Sequence, residues 1–205
     1  MADVNPPETL RVLVVCTGNI CRSPAIERLL AAGLGGTFRG QGPGRLAPAI
    51  EVSSAGAGAL VGSPMTDEMA ALVATHGGAV TGFEARQVTA ELVLAANVIL
   101  TATRRHRSAV VELAPSAVRR TFTLREFARI AASIDPSDLP GAGATTADRL
   151  AALIPLATAR RGTVRARVAA DDDVVDPYGG NGQLYARSFA ELEPAVRAIV
   201  AAVRL

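Results

Sequence analysis

Apolar residues gather along this chain in short β-branched runs separated by longer stretches of helical period. The first run, residues 10–15, ends at Cys16, and Ser23-Pro24-Ala25-Ile26-Glu27 then reads as a capped helix start with Pro24 in its first turn. Residues 49–53, 97–101 and 121–124 are further strand candidates. Helical patterns separate them at about 64–75 and 104–113, and a last one runs from about 184 to 203 with Leu192, Val196, Ile199, Val200 and Val203 on one stripe. Strands alternating with helices predict a doubly wound α/β fold with a parallel sheet. Two segments fit that plan poorly. The Gly-rich stretch 35–44 reads as a mobile loop, and 131–167, with an Ala-rich helix over 146–160, reads as an extra helical hairpin or lid.

Composition narrows the classes. A chain of 205 residues is expected to form a single domain, with insertions at about 35–48 and 131–170. Its apolar stretches are broken by Arg, Gly or Pro well before 18 residues, which excludes a membrane-spanning helix. All 21 residues of the Lys+Arg count are Arg, so a Walker A loop, a protein-kinase lysine and a Schiff-base enzyme are excluded. Arg without Lys, beside abundant Ala and Gly, reads as codon bias. A net charge of +2 with dispersed Arg gives no nucleic-acid footprint, and nothing marks a membrane partner. The two cysteines, Cys16 and Cys21, form neither a disulfide framework nor a four-ligand metal set, and no metal or cofactor is expected. No basic segment precedes an apolar run near Met1, so a reduced, cytoplasmic protein is expected.

Chemistry concentrates in Cys16-Thr17-Gly18-Asn19-Ile20-Cys21-Arg22-Ser23. A loop wound from a strand into a helix N-terminus turns successive N–H groups into one concavity at the positive end of the helix dipole, a site for a dianion. Gly18 and Asn19 tolerate a left-handed turn, and Arg22 offers a planar fork for two phosphate oxygens. A cysteine at the mouth of such a loop is a nucleophile, and Ser23 can donate its hydroxyl to the sulfur. Taken alone, Cys16 would read as a small buried strand-end residue. For a general acid, Asp171-Asp172-Asp173 reads as a solvated run, whereas Asp176 is held by the adjoining Pro177. Tyr178 either lines the mouth of the site or is a half-exposed core ring. His76 and His106 both read as surface residues, and the Arg104–Arg107 cluster as a solvated face.

The run from Val15 to Pro24 resembles the phosphate loop of low-molecular-weight protein tyrosine phosphatases. The resemblance continues at Ser53-Ser54-Ala55-Gly56, Ala85-Arg86-Gln87, Phe122 to Phe127 and Asp176-Pro177-Tyr178-Gly179-Gly180. It implies a four-stranded parallel sheet flanked by helices and metal-free hydrolysis of a phosphomonoester through a phosphocysteine. Cys16 matches the nucleophile, Arg22 the phosphate clamp and Asp176 the acid. Residues Thr17, Gly18, Asn19, Ile20, Cys21, Arg22 and Ser23 match the phosphate-binding loop, and Asn19, Ser23 and Ser54 its supports. Cys21 is either a small packing residue or, by the resemblance, a protective disulfide partner for oxidised Cys16.

The chain departs from the family at the rim. Leu60 and Gly179 stand where tyrosine-specific members carry aromatics, so the slot formed with Ile20 and Tyr178 is thinner, and Phe83-Glu84 replaces a histidine before Ala85-Arg86-Gln87. Gly179-Gly180 and the Phe122 to Phe127 segment resemble the protein-arginine-phosphatase branch, but that branch carries Thr at the position of Ile20. The expected substrate is therefore protein phosphotyrosine, with phosphoarginine the alternative. A non-catalytic phosphoprotein-binding module is the reading from another class. The oligomeric state is not legible.

Overall fold

The computed structural model describes residues 9–39, 41 and 49–204. Five parallel strands form one sheet in the order β2-β3-β1-β4-β5: β1 Leu10–Cys16, β2 Thr37–Phe38, β3 Ile50–Gly56, β4 Val98–Thr101 and β5 Thr121–Thr123. The helices are α1 Arg22–Leu34, α2 Asp67–Thr75, α3 Ala90–Ala95, α4 Arg104–Leu113, α5 Leu124–Ala131, α6 Thr146–Arg160 and α7 Gly182–Val203.

The central strand explains itself from its sequence. Both faces of β1 are covered, so it is apolar at consecutive positions. Val12 and Val14 point to the larger core beneath α1, α5, α6 and α7, while Leu13 and Val15 point to a smaller one against Val93 of α3 and Val110 of α4. Each of these fully buried side chains contributes on the order of 1.5–3 kcal/mol through apolar burial. The order in which strands are added across the sheet reverses between β1 and β4, and the carboxyl ends of these two parallel strands flank the crevice where ligands of such folds bind.

The sheet has five strands, not the expected four. The extra strand, β2, falls in the Gly-rich stretch read as a mobile loop. Gly35 closes α1 in a left-handed cap, and Phe38 then lies under the guanidinium of Arg28, 3.8 Å from its ring centroid. That tertiary contact supplies what two residues of local pattern cannot. Gly40, residues 42–48 and residues 1–8 lie outside the described residues.

The segment from 131 onward is neither a hairpin nor a lid. Its one long helix, α6, buries Leu150, Leu153 and Ala157 in the larger core with α5 and α7. Among the described residues no helix is long and apolar enough to cross a membrane.

Candidate active site

The site is built on the connection between β1 and α1. Cys16 ends the strand, Arg22 begins the helix, and residues 17–21 join them. The carbonyls of Cys16, Thr17, Gly18 and Ile20 each accept a backbone N–H, from Ala57, Gly58, Leu60 and Thr66 respectively. A planar trans peptide carries its N–H opposite its C=O. The N–H groups of Thr17, Gly18, Asn19 and Cys21 are therefore turned away from the 57–66 segment. Gly56 permits this close approach, because a Cβ there would meet the Thr17 carbonyl oxygen at 2.3 Å.

Asn19 holds the bend. It is the residue in left-handed backbone, with φ 56°, and its amide is fully used. Nδ2 donates to Ser23 Oγ and Ser54 Oγ, both at 2.9 Å, while Oδ1 accepts the Arg86 N–H at 2.8 Å. Ser54 in turn donates to Glu27 at 2.5 Å. Glu27 is wholly buried beside Arg28, and burial pushes its carboxyl above the usual range.

Ser23 lies inside α1, so it is not the helix cap that local pattern suggests; Cys21 occupies that position without a side-chain bond. Its oxygen accepts from Asn19, which leaves the hydroxyl hydrogen for a stronger partner. Cys16 Sγ is at 2.9 Å and the Ala55 carbonyl at 3.5 Å, so the sulfur is favoured.

Arg22 is almost fully buried. Its Nη1 donates to the Val174 carbonyl at 3.1 Å, its Nη2 meets Asp176 Oδ2 at 2.5 Å, and its Nε is buried without a hydrogen-bond partner. Asp176 is half exposed at the mouth of a cavity of about 130 Å³ lined by Cys16, Thr17, Gly18, Ile20, Cys21, Arg22, Gly58, Leu60, Asp176 and Tyr178. Tyr178, 63% exposed, and Leu60 form its apolar rim. Gly179 does not line the cavity; it serves the turn after Pro177 with φ 75°. Asn19 and Ser23 lie beneath the loop and not on its open side.

Of the aspartate run, Asp171 is exposed as expected, whereas Asp172 and Asp173 are anchored rather than solvated. Asp173 takes the backbone N–H and guanidinium of Arg104, and Asp172 pairs with Arg129 at 2.7 Å. Burial alone would raise the Asp173 carboxyl, but the Arg104 hydrogen bonds outweigh it and hold the group low. Arg125 donates to the Asp173 carbonyl, and Glu191 accepts the Val175 N–H. Asp176 therefore extends from a segment fixed at four successive residues.

His106 is likewise no surface residue. It is 6% exposed, on the first turn of α4, and its Nε2 lies 2.8 Å from Thr17 Oγ1. Burial first, then the Arg22 charge, lowers its pKa to about 4. The signal that could have found it is topological: α4 follows β4, and β4 is the neighbour of β1. His76 is exposed as expected. Cys21 is buried with a free thiol, near Thr66 Oγ1 at 3.5 Å and Tyr185 Oη at 3.8 Å, and burial pushes that thiol up. Tyr185, a further neighbour of the loop, was not legible in the sequence.

The family model described as "Low molecular weight phosphotyrosine protein phosphatase" matches residues 11–140, more than half of the chain. The chain belongs to the low-molecular-weight phosphotyrosine protein phosphatase family. Among curated members, it is 38% identical over 105 residues to the low molecular weight protein-tyrosine-phosphatase Wzb of Salmonella typhi, covering 51% of this chain and 62% of Wzb. The match thus spans less than two thirds of that relative's length. Etp of Escherichia coli K12 is 35% identical over 116 residues, covering 57% of this chain and 70% of Etp. The crystal structure of the Erwinia amylovora tyrosine phosphatase AmsI superposes with a TM-score of 0.64 over 95% of this chain and 93% of that one, at 23% identity, a likeness of fold. The YwlE arginine phosphatase of Geobacillus stearothermophilus gives 0.61 at 26% identity, over 94% and 91%. This phosphatase family thus covers the β1 loop and its supports, while Asp176 lies beyond the matched residues.

Proposed function

We propose that the chain is a protein phosphotyrosine phosphatase that works through a phosphocysteine. The observation that carries this reading is the fixed direction of the loop peptides, whose N–H groups turn away from the 57–66 segment, beside a cavity lined by both Cys16 and Arg22. In the first step the Cys16 thiolate attacks phosphorus; an S–P bond forms, the P–O bond to the phenol breaks, and Asp176 gives its proton to the departing oxygen. In the second, water attacks phosphorus while Asp176 takes its proton, and the S–P bond breaks to release phosphate and the thiolate. Both steps use side chains of this chain alone.

Phosphotyrosine is favoured over phosphoarginine by the lining. Ile20, Leu60 and Tyr178 offer an aryl ring apolar contact, and none of them but the Tyr178 hydroxyl can hydrogen-bond a guanidinium nitrogen. The intact clamp and acid argue for turnover rather than binding alone. The two free thiols suit a reducing compartment, so the substrate is inferred to be a cytoplasmic phosphoprotein. The test is kcat/KM on a matched pair of phosphotyrosyl and phosphoarginyl peptides. A preference for phosphotyrosine is expected, and a preference for phosphoarginine would overturn the substrate assignment.

A further inference from the structure

His106 has no part in the reaction just described, yet it is buried at the first residue after the nucleophile. A neutral imidazole has one N–H and one acceptor nitrogen. His106 Nδ1 lies 2.8 Å from Thr103 Oγ1, which already accepts the His106 backbone N–H as the cap of α4. The Thr103 hydroxyl hydrogen is then free for Nδ1, and in the tautomer that uses it the ring proton sits on Nε2, which donates to Thr17 Oγ1. Every polar atom of the chain Thr103, His106, Thr17 is satisfied by this tautomer. It leaves one hydrogen unspent, on the hydroxyl of Thr17, a residue that is exposed and lines the cavity.

We propose that His106 is a positioning residue that locks the Thr17 side chain in one rotamer and presents its hydroxyl hydrogen to an oxygen of the bound phosphoryl group. The proposal rests on the phosphatase reading above. It gives the β1 loop a second anchor, from α4, opposite the Asn19, Ser54 and Glu27 anchor. The groups facing the imidazole are Arg22 of α1, Arg105 of α4, and Asp173 and Asp176 of the acid segment. Burial, aided by the Arg22 and Arg105 charges, outweighs the two carboxylates and leaves His106 neutral at ordinary pH, which the tautomer argument requires.

Two substitutions separate positioning from packing, because each keeps one of the two imidazole bonds. In His106→Gln the amide can reach Thr17 but loses Thr103; in His106→Asn it can reach Thr103 but loses Thr17. Aryl phosphate kinetics of the wild type are measured first, and absence of turnover would overturn the phosphatase reading and this proposal with it. With an active wild type, His106→Asn and Thr17→Val are each expected to lower kcat/KM about tenfold, the value of one hydrogen bond to a charged group, and to weaken inhibition by inorganic phosphate. His106→Gln and Thr17→Ser should recover most of that loss. The double variant His106→Asn with Thr17→Val should be no worse than Thr17→Val alone. If Gln and Asn are equally impaired, or if the two losses multiply in the double variant, His106 serves packing only. Thr17 is exposed, so its variants report even if His106→Asn fails to fold.

Discussion

Arg22 Nη2 and Asp176 Oδ2 stand 2.5 Å apart, so the proposed general acid occupies one edge of the proposed phosphate clamp. A phosphate dianion entering the cavity competes with Asp176 for the same guanidinium edge. Binding then releases the carboxyl toward the leaving oxygen. On this account Asp176→Asn slows substrates with basic leaving groups far more than p-nitrophenyl phosphate, whose leaving group needs little protonation. Steady-state rates on phenyl and p-nitrophenyl phosphate check it, with the loss expected to be about tenfold or more greater on phenyl phosphate. Equal losses would move the acid role to another residue.

The acid segment is held from below by Arg104, Arg125 and Arg129, and these grips set where Asp176 sits. Arg104→Gln frees Asp173 while leaving the carboxylate of Asp176 untouched. Its expected signature is the leaving-group dependence of Asp176→Asn in weaker form, about threefold on phenyl phosphate, with phosphate inhibition unchanged. A uniform loss on both substrates would show that the anchor has no bearing on proton transfer.

Burial of neutral His106 ties stability to pH. Its folded pKa, about 4, lies below the ordinary value of 6.5. As pH falls below 6.5 the unfolded chain takes up a proton that the folded protein refuses until about pH 4, so stability present above 6.5 is lost across this window, by roughly 3 kcal/mol at most. Urea unfolding of the wild type and His106→Gln between pH 7 and 4.5 should show a shallower decline in the variant. Parallel curves would place the pH dependence elsewhere.

Ile20 is buried in the cavity wall, and on the proposed function it faces the group to which the phosphoryl is attached. Replacing it with Thr removes apolar contact worth about 1 kcal/mol and adds a hydroxyl worth a similar amount to a nitrogen-linked substrate. The ratio of kcat/KM values for phosphotyrosyl and phosphoarginyl peptides should move toward phosphoarginine by about tenfold. An unchanged ratio would assign the discrimination to the rim.

What was legible in the sequence is what local chemistry determines. The run from β1 through Cys16 to α1 carries its own signals, and the bounds of α4 and α6 coincide with their hydrophobic periods. The misses share a different cause. Thr37–Phe38 pairs with β3 and packs Phe38 under Arg28, and Asp172 and Asp173 are partly buried against Arg129 and Arg104, partners that come to them from elsewhere in the chain. His106 and Thr17 are 89 positions apart, and only the adjacency of β1 and β4 joins them. Ser23 was legible as chemistry but not as geometry, since a serine at a helix start serves a cap more often than a sulfur.

In the proposed mechanism phosphate leaves the substrate on the sulfur of Cys16. Acid quenching of the wild type during turnover of a phosphotyrosyl peptide, followed by mass spectrometry of the peptide containing Cys16, reads this directly. Phosphate is expected on Cys16 in the wild type, in larger amount in Asp176→Asn with p-nitrophenyl phosphate, and none in Cys16→Ser, which should be inactive while still binding inorganic phosphate. Phosphate on another residue, or turnover by the Cys16→Ser protein, would contradict the phosphocysteine mechanism.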